Sequence, residues 1–143
     1  MTAGRTVVRE YLAGDAALMA LLPGGLFADV GEISRQTTPG AFDTNGELRP
    51  CGLVSLETQI PAPPFDGEGA GARQFFTVNV YDRATYATID AALDEVFVRL
   101  QMSKAAATSG VWEIRHAEDS PEVEDGGLGA KLRYSRWVMW RRR

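Results

Sequence analysis

Residues 74–101 read QFFTVNVYDRATYATIDAALDEVFVRLQ, and this stretch decides the fold class. Its first half alternates. Phe76, Val78 and Val80 fall on one side, and Phe75, Thr77, Asn79 and Tyr81 on the other. Aromatic and β-branched residues in period two make a strand. The second half changes period. Tyr86, Ile89, Leu93, Val96, Phe97 and Leu100 form the stripe of an amphipathic helix, while Asp90, Asp94 and Glu95 lie off its centre. Between the halves, Asp82 is expected to cap the helix, with Thr85 at its third position.

On the N-terminal side, residues 52–60 form a second strand. Val54, Leu56, Thr58 and Ile60 face the core and Leu53, Ser55, Glu57 and Gln59 face away, until Pro61, Pro63 and Pro64 end it. The two strands make a hairpin, with a connection over residues 61–73 that is far longer than a tight turn requires. Upstream, residues 5–22 carry helical periodicity through Val8, Leu12, Leu18, Leu21 and Leu22. Gly14-Asp15 interrupts it, so Asp15 is positioned to cap a second short helix, and Pro23-Gly24-Gly25 stops it. Leu26, Phe27 and Val30 predict a short extended return to the sheet. Residues 31–50 are polar and punctuated by Pro39-Gly40 and Asn45-Gly46, the composition of a mobile or functional loop.

Downstream, residues 111–117 and 131–140 read as two further strands. The parity between Leu132 and Trp137 slips, which predicts a bulge near Tyr134. The fold class is therefore α+β: a mostly antiparallel sheet of four to five strands with two main helices on one face, in the order α-β-β-α-β-β. A chain of 143 residues is the length of one domain, here residues 1–143 with long loops at about 31–50, 61–73 and 118–130. With the helices on one face, the other face shows Phe75, Tyr81 and some of Trp112, Trp137 and Trp140. That much aromatic surface calls for a partner subunit.

Composition excludes more than it assigns. The formal net charge is -4, and its distribution is uneven. Glu118, Asp119, Glu122, Glu124 and Asp125 precede a basic end of Lys131, Arg133, Arg136, Arg141, Arg142 and Arg143, so polar pairing within or between subunits is expected. A nucleic-acid footprint needs more positive charge across a face. No run approaches about 18 apolar residues, so the chain is expected to be soluble, cytoplasmic when made, and free of any membrane. Cys51, the single cysteine, points to a reducing compartment and reads as a buried small hydrophobe. His116, the single histidine, has no nucleophile-elbow serine to serve. Gly67, Gly69 and Gly71 lie between strands and so lack the context of a phosphate loop. The residues 118–125 lack the spacing of a calcium loop. No catalytic residue, metal or cofactor is expected.

Three segments carry a resemblance: VVREYLAGDAALMALLPGGLF at residues 7–27, FFTVNVYDRATYATIDAALDEVFVRL at 75–100, and KLRYSRWVMW at 131–140. In order and pattern they resemble the tail terminator, or tail completion, proteins of long-tailed phages with siphovirus-type tails. The resemblance spans most of the chain and rests on pattern rather than chemical signature. It implies a structural virion subunit at the head-proximal end of the tail, a homo-oligomeric, hexameric ring assembled in the host cytoplasm. Such a ring stops growth of the tail tube and presents a surface to the head–tail connector. Its partners would be the tail tube protein and the connector protein, with DNA only as passing cargo. The interface residues expected on this reading are Phe75, Tyr81, Arg136, Trp137, Arg141 and Arg142. The polar insert before RPCGLVSLETQI departs from the family's entry to the first main strand and keeps open a sibling role as a neck or minor tail subunit. The other readings are a small non-viral α+β binding domain or enzyme, and a nucleic-acid-binding regulator using Arg136 and residues 141–143.

Overall fold

In the computed structural model, which describes residues 4–61, 72–101 and 111–141, the stretch quoted above is a strand running into a helix. The chain orders as α1 (Gly4–Ala13), α2 (Ala16–Leu21), β1 (Leu26–Phe27), β2 (Cys51–Pro61), β3 (Ala72–Asp82), α3 (Tyr86–Leu100), β4 (Val111–Asp119), β5 (Val123–Asp125) and β6 (Ala130–Arg141). The sheet runs β1-β2-β3-β6-β4, and β5 pairs with β6 beyond the end of β4. All pairs are antiparallel except β1 with β2. The expected α+β class and the α-β-β-α-β-β order of the main elements are found. The short strands β1 and β5 raise the sheet to six strands.

Local chemistry explains the boundaries. Gly14 breaks the first helix, and Asp15 caps the second by accepting from the backbone N–H groups of Ala17 and Leu18. The cap of α3 is Thr85, whose Oγ1 accepts from Ala87 N–H at 3.1 Å. Asp82, the expected cap, instead accepts from Ala84 N–H and tightens the turn before the helix. Gly52 is a close approach: a Cβ there would lie 2.8 Å from Leu26 Cδ1.

Two apolar clusters sit on opposite faces of the sheet. On the helix face, Val54, Phe76, Val78, Val80, Ile114, Trp137 and Met139 pack against Val8, Leu12 and Leu18 of the N-terminal helices and Ile89, Leu93, Val96 and Leu100 of α3. On the opposite face, Ile33, Ala41 and Leu48 cover Cys51, Leu53, Tyr81 and Ala130. The segment over residues 31–50, expected as a mobile or functional loop, is thus a folded cover. A short 3-10 turn (Pro39–Ala41) and a bridge between Phe42 and Leu48 shape it. The Arg35 guanidinium reaches Gly46 O at 2.6 Å and stacks over Phe42.

This second cluster also accounts for the parity of β6. No bulge lies near Tyr134, because β6 keeps continuous register with β3 from Lys131 to Arg141. Leu132 and Trp137 lie on opposite faces, and each meets an apolar cluster there. The register shifts lie in β2, between Leu56 and Gln59, and in β4, between Val111 and Glu113 and between His116 and Glu118.

Candidate interaction surface

The cover leaves half of the second face open. In the ladder Phe75 pairs with Val138, Thr77 with Arg136 and Arg73 with Trp140, so these six side chains share one patch. Phe75 is its centre. The Arg136 guanidinium stacks on the ring at 4.5 Å and Arg73 at 5.6 Å. Arg136 Nε donates to Glu57 Oε2 at 2.8 Å, which reaches the patch from β2. That hydrogen bond is the main cause holding the arginine above its ordinary pKa, against a smaller desolvation effect, with the Glu57 and Glu118 charges adding to it. Arg115, from β4, lies 6.0 Å from the Trp140 ring and pairs with Glu113 at 2.9 Å. The patch is therefore aromatic at its centre and ringed by ion pairs that solvent reaches.

The residues expected at an interface separate. Phe75 and Arg136 come together as described. Tyr81 is on the same face but at the other end, 8% exposed beneath the 31–50 cover. Trp137 is on the opposite face, fully buried, with its Nε1–H donating to Ser135 Oγ at 2.8 Å. Neither is available to a partner in this fold. Arg141 ends β6, opposite Ala72 and Val111, and Arg142 lies outside the described residues. Val138, Arg73, Arg115 and Glu57 belong to the patch and were not among the expected residues, and Trp140, expected among the aromatics of the open face, joins them. The alternation of Tyr134, Arg136, Val138 and Trp140 against Trp137 and Met139 carried the signal for Val138 and Trp140.

The acidic segment and the basic end of the chain meet in part: Glu118 lies opposite Arg136 in the β4–β6 ladder, and its charge adds to the shift of that arginine. Glu124 pairs with Lys131 and Asp125 with Ala130 at one end of β6, while Arg141 closes the other end. At about 3.3 Å per residue the strand spans roughly 35 Å, so position 141 and the 122–125 turn lie at opposite ends of the sheet. Within the molecule, the acidic turn is held by polar contacts with its near neighbours. Tyr86 Oη donates to Val123 O at 2.9 Å, and Ser120 pairs with the Tyr134 backbone through both its N–H and its Oγ.

The titratable groups have structural surroundings. Cys51 is wholly buried, and burial, with the nearby Asp82 charge, pushes its thiol up to about 12. At neutral pH it is protonated and a poor nucleophile. His116 packs edge-on against Phe97 and Trp137, and its Nε2 meets Asp119 Oδ1 at 3.0 Å. Among the described residues there is no group of three or more His, Cys, Asp and Glu placed to hold a metal ion.

No protein-family model matches this chain, and no curated protein matches it. Among solved structures it is similar to a chain of a native gene transfer agent (GTA) particle virion, with a TM-score of 0.68 and 20% identity. The match covers 97% of this chain and 94% of that one. The two share a fold along essentially their whole lengths.

Proposed function

We propose that this chain is a structural subunit of a phage-like or gene-transfer-agent-like virion, and that within it the chain forms a ring capping the tail tube. The observation that carries the reading is the whole-length fold likeness to a virion chain, which agrees with the resemblance of three sequence segments to tail terminator proteins. The half-open sheet face fits the reading. An aromatic centre at Phe75 and Trp140, ringed by Arg136, Arg115, Glu57 and Glu113, has the composition of a protein contact: an apolar middle with a polar rim. In this role the protein acts through shape. One ring face meets the last layer of the tube and blocks further addition, and the other meets the connector. DNA passes through the lumen as cargo.

A neck or minor tail subunit is the second reading, favoured by the folded 31–50 cover, which gives this chain a surface of its own on the side away from the helices. One experiment separates the two. The purified chain is mixed with a candidate tail tube protein, and tubes are imaged by electron microscopy. A terminator appears as a ring at tube ends and shortens the length distribution. Tubes that grow unchanged with bare ends would refute the capping role.

A further inference from the structure

The side of α3 that turns away from the sheet is not the polar face such a helix ordinarily shows. Its exposed positions are Ala87, Ala91, Asp94, Phe97 and Val98. Val98 is 77% exposed and Phe97 43%, and among the described residues Val123 is the only other exposed large hydrophobic. Phe97 is held in place, edge-on to His116 at 5.3 Å and 6.0 Å from Trp137. A cleft of about 90 Å³ opens beside it, lined by Asp90, Asp94, Asp119 and Arg133 among others. Asp90 is paired with Arg133 and Asp119 with His116. Asp94 has no hydrogen bond or ion pair among the described residues. Across the sheet, the Phe75–Trp140 patch carries the opposite excess. Arg136 has Glu57, with the Glu118 charge near it, and Arg115 has Glu113. Arg73 has the Phe75 ring but no carboxylate among the described residues, and its buried Nε finds no acceptor there.

We propose that the outer face of α3 in one copy docks on the Phe75–Trp140 patch of a second copy, with Asp94 of the first set against Arg73 of the second. The inference rests on the ring-subunit reading and names the contact that would join neighbours. Phe97 and Val98 bring apolar surface to an aromatic centre, and the charges left unpaired on the two surfaces have opposite sign. The product is an apolar middle with a polar rim. The arriving carboxylate gives the Arg73 guanidinium the acceptor that its own chain does not supply, and an unmade hydrogen bond at a buried donor is costly. The two surfaces lie on opposite sides of the sheet, since α3 packs on the face that carries Val78 and Trp137. Two copies therefore cannot exchange both contacts at once. The contact repeats from copy to copy, and a constant rotation at each step closes it into a ring.

The test reverses charges in the full chain. Asp94→Lys and Arg73→Glu are made separately and together, assembly is followed by sedimentation, and circular dichroism checks the fold. Each single reversal should weaken assembly by at least about tenfold, because it sets like charges against each other. The double variant should recover assembly. An equimolar mixture of the two single variants should recover it as well, with the two kinds of copy alternating around the ring. Assembly unchanged by either single reversal would overturn the contact while leaving the ring reading intact. So would single defects that neither the double variant nor the mixture repairs. Assembly that stops at two copies would overturn the head-to-tail contact. A protein that sediments as a monomer at every concentration, with a candidate tail tube protein present, would remove both the contact and the ring reading.

Discussion

Trp137 stands next to Arg136 in the chain and, by the alternation of the strand, lies across the sheet from it. Its indole is buried against Phe97 and His116, and its one polar atom is satisfied by Ser135. Truncation of Trp137 to Ala should therefore cost about 3–5 kcal/mol, read as a lower urea midpoint with an unchanged slope. Ser135→Ala should cost about 1–3 kcal/mol by leaving the buried N–H unpaired. Cys51 makes a second residue-scale prediction. Its thiol is raised from an ordinary 9.0 to about 12 in the fold. The unfolded chain therefore loses that proton first as pH rises. The stability linked to Cys51 is fully present below pH 9 and is lost as pH climbs toward 12. Tyr81, raised from 10.0 to about 12, acts in the same direction over the upper part of that window. Thermal unfolding followed from pH 8 to 11 should show a falling melting temperature, and Cys51→Ala should flatten the part of the fall that begins nearest 9.

Elements depend on short-range chemistry that the sequence displays well. The split of the first helix, the role of Asp15, the brief β1 and the antiparallel hairpin of β2 and β3 all follow from residue spacing. Asp15→Ala should lower stability by about 1 kcal/mol, because it leaves the N–H groups of Ala17 and Leu18 without their acceptor. Asp15→Asn should retain most of it, and a melting curve for each variant checks the pair. Where element reading misses, two local signals compete. Asp82 and Thr85 are both good caps three residues apart, and the chain uses Thr85 on the helix and Asp82 on the turn. The parity slip in β6 has another origin. A one-sided sheet would require a bulge to bury both Leu132 and Trp137, but a sheet covered on both faces does not.

For the whole molecule, the decisive feature is how far the 31–50 cover extends. It hides Tyr81 and stops short of Phe75, so one face of the sheet is divided into a private half and a public half. Replacing Phe75 by Asp, or Trp140 by Glu, should leave the fold intact, since both are only half-buried. On the reading above, it should also weaken assembly by at least about tenfold, the effect of removing an aromatic anchor. Sedimentation measures the assembly and circular dichroism the fold. An assembly unaffected by either change would remove this patch from the contact. Arg136→Lys is the finer probe. Lysine keeps the charge but cannot both stack flat on Phe75 and hold Glu57 in the same fork.

The sequence by itself determined the main secondary elements, their order and the helix-facing stripe of the sheet, but not β5, which lies within residues expected as a loop. Those follow from periodicity and from caps acting over a few residues, and Val54, Phe76, Val78 and Val80 announce their side by alternation alone. It also put Phe75 and Arg136 on surfaces worth watching. Only the tertiary structure decided which aromatic residues remain available. Trp137 and Tyr81 have the same composition value as Phe75, but α3 covers one and the 31–50 segment covers the other. That segment has no period to reveal that it folds back over the sheet. Its few apolar residues, Ile33, Ala41 and Leu48, are separated by polar turns, and they form a cluster only when β2, β3 and β6 bring Leu53, Tyr81 and Ala130 beneath them. Contacts between residues distant in sequence are set by packing, and packing leaves little local trace.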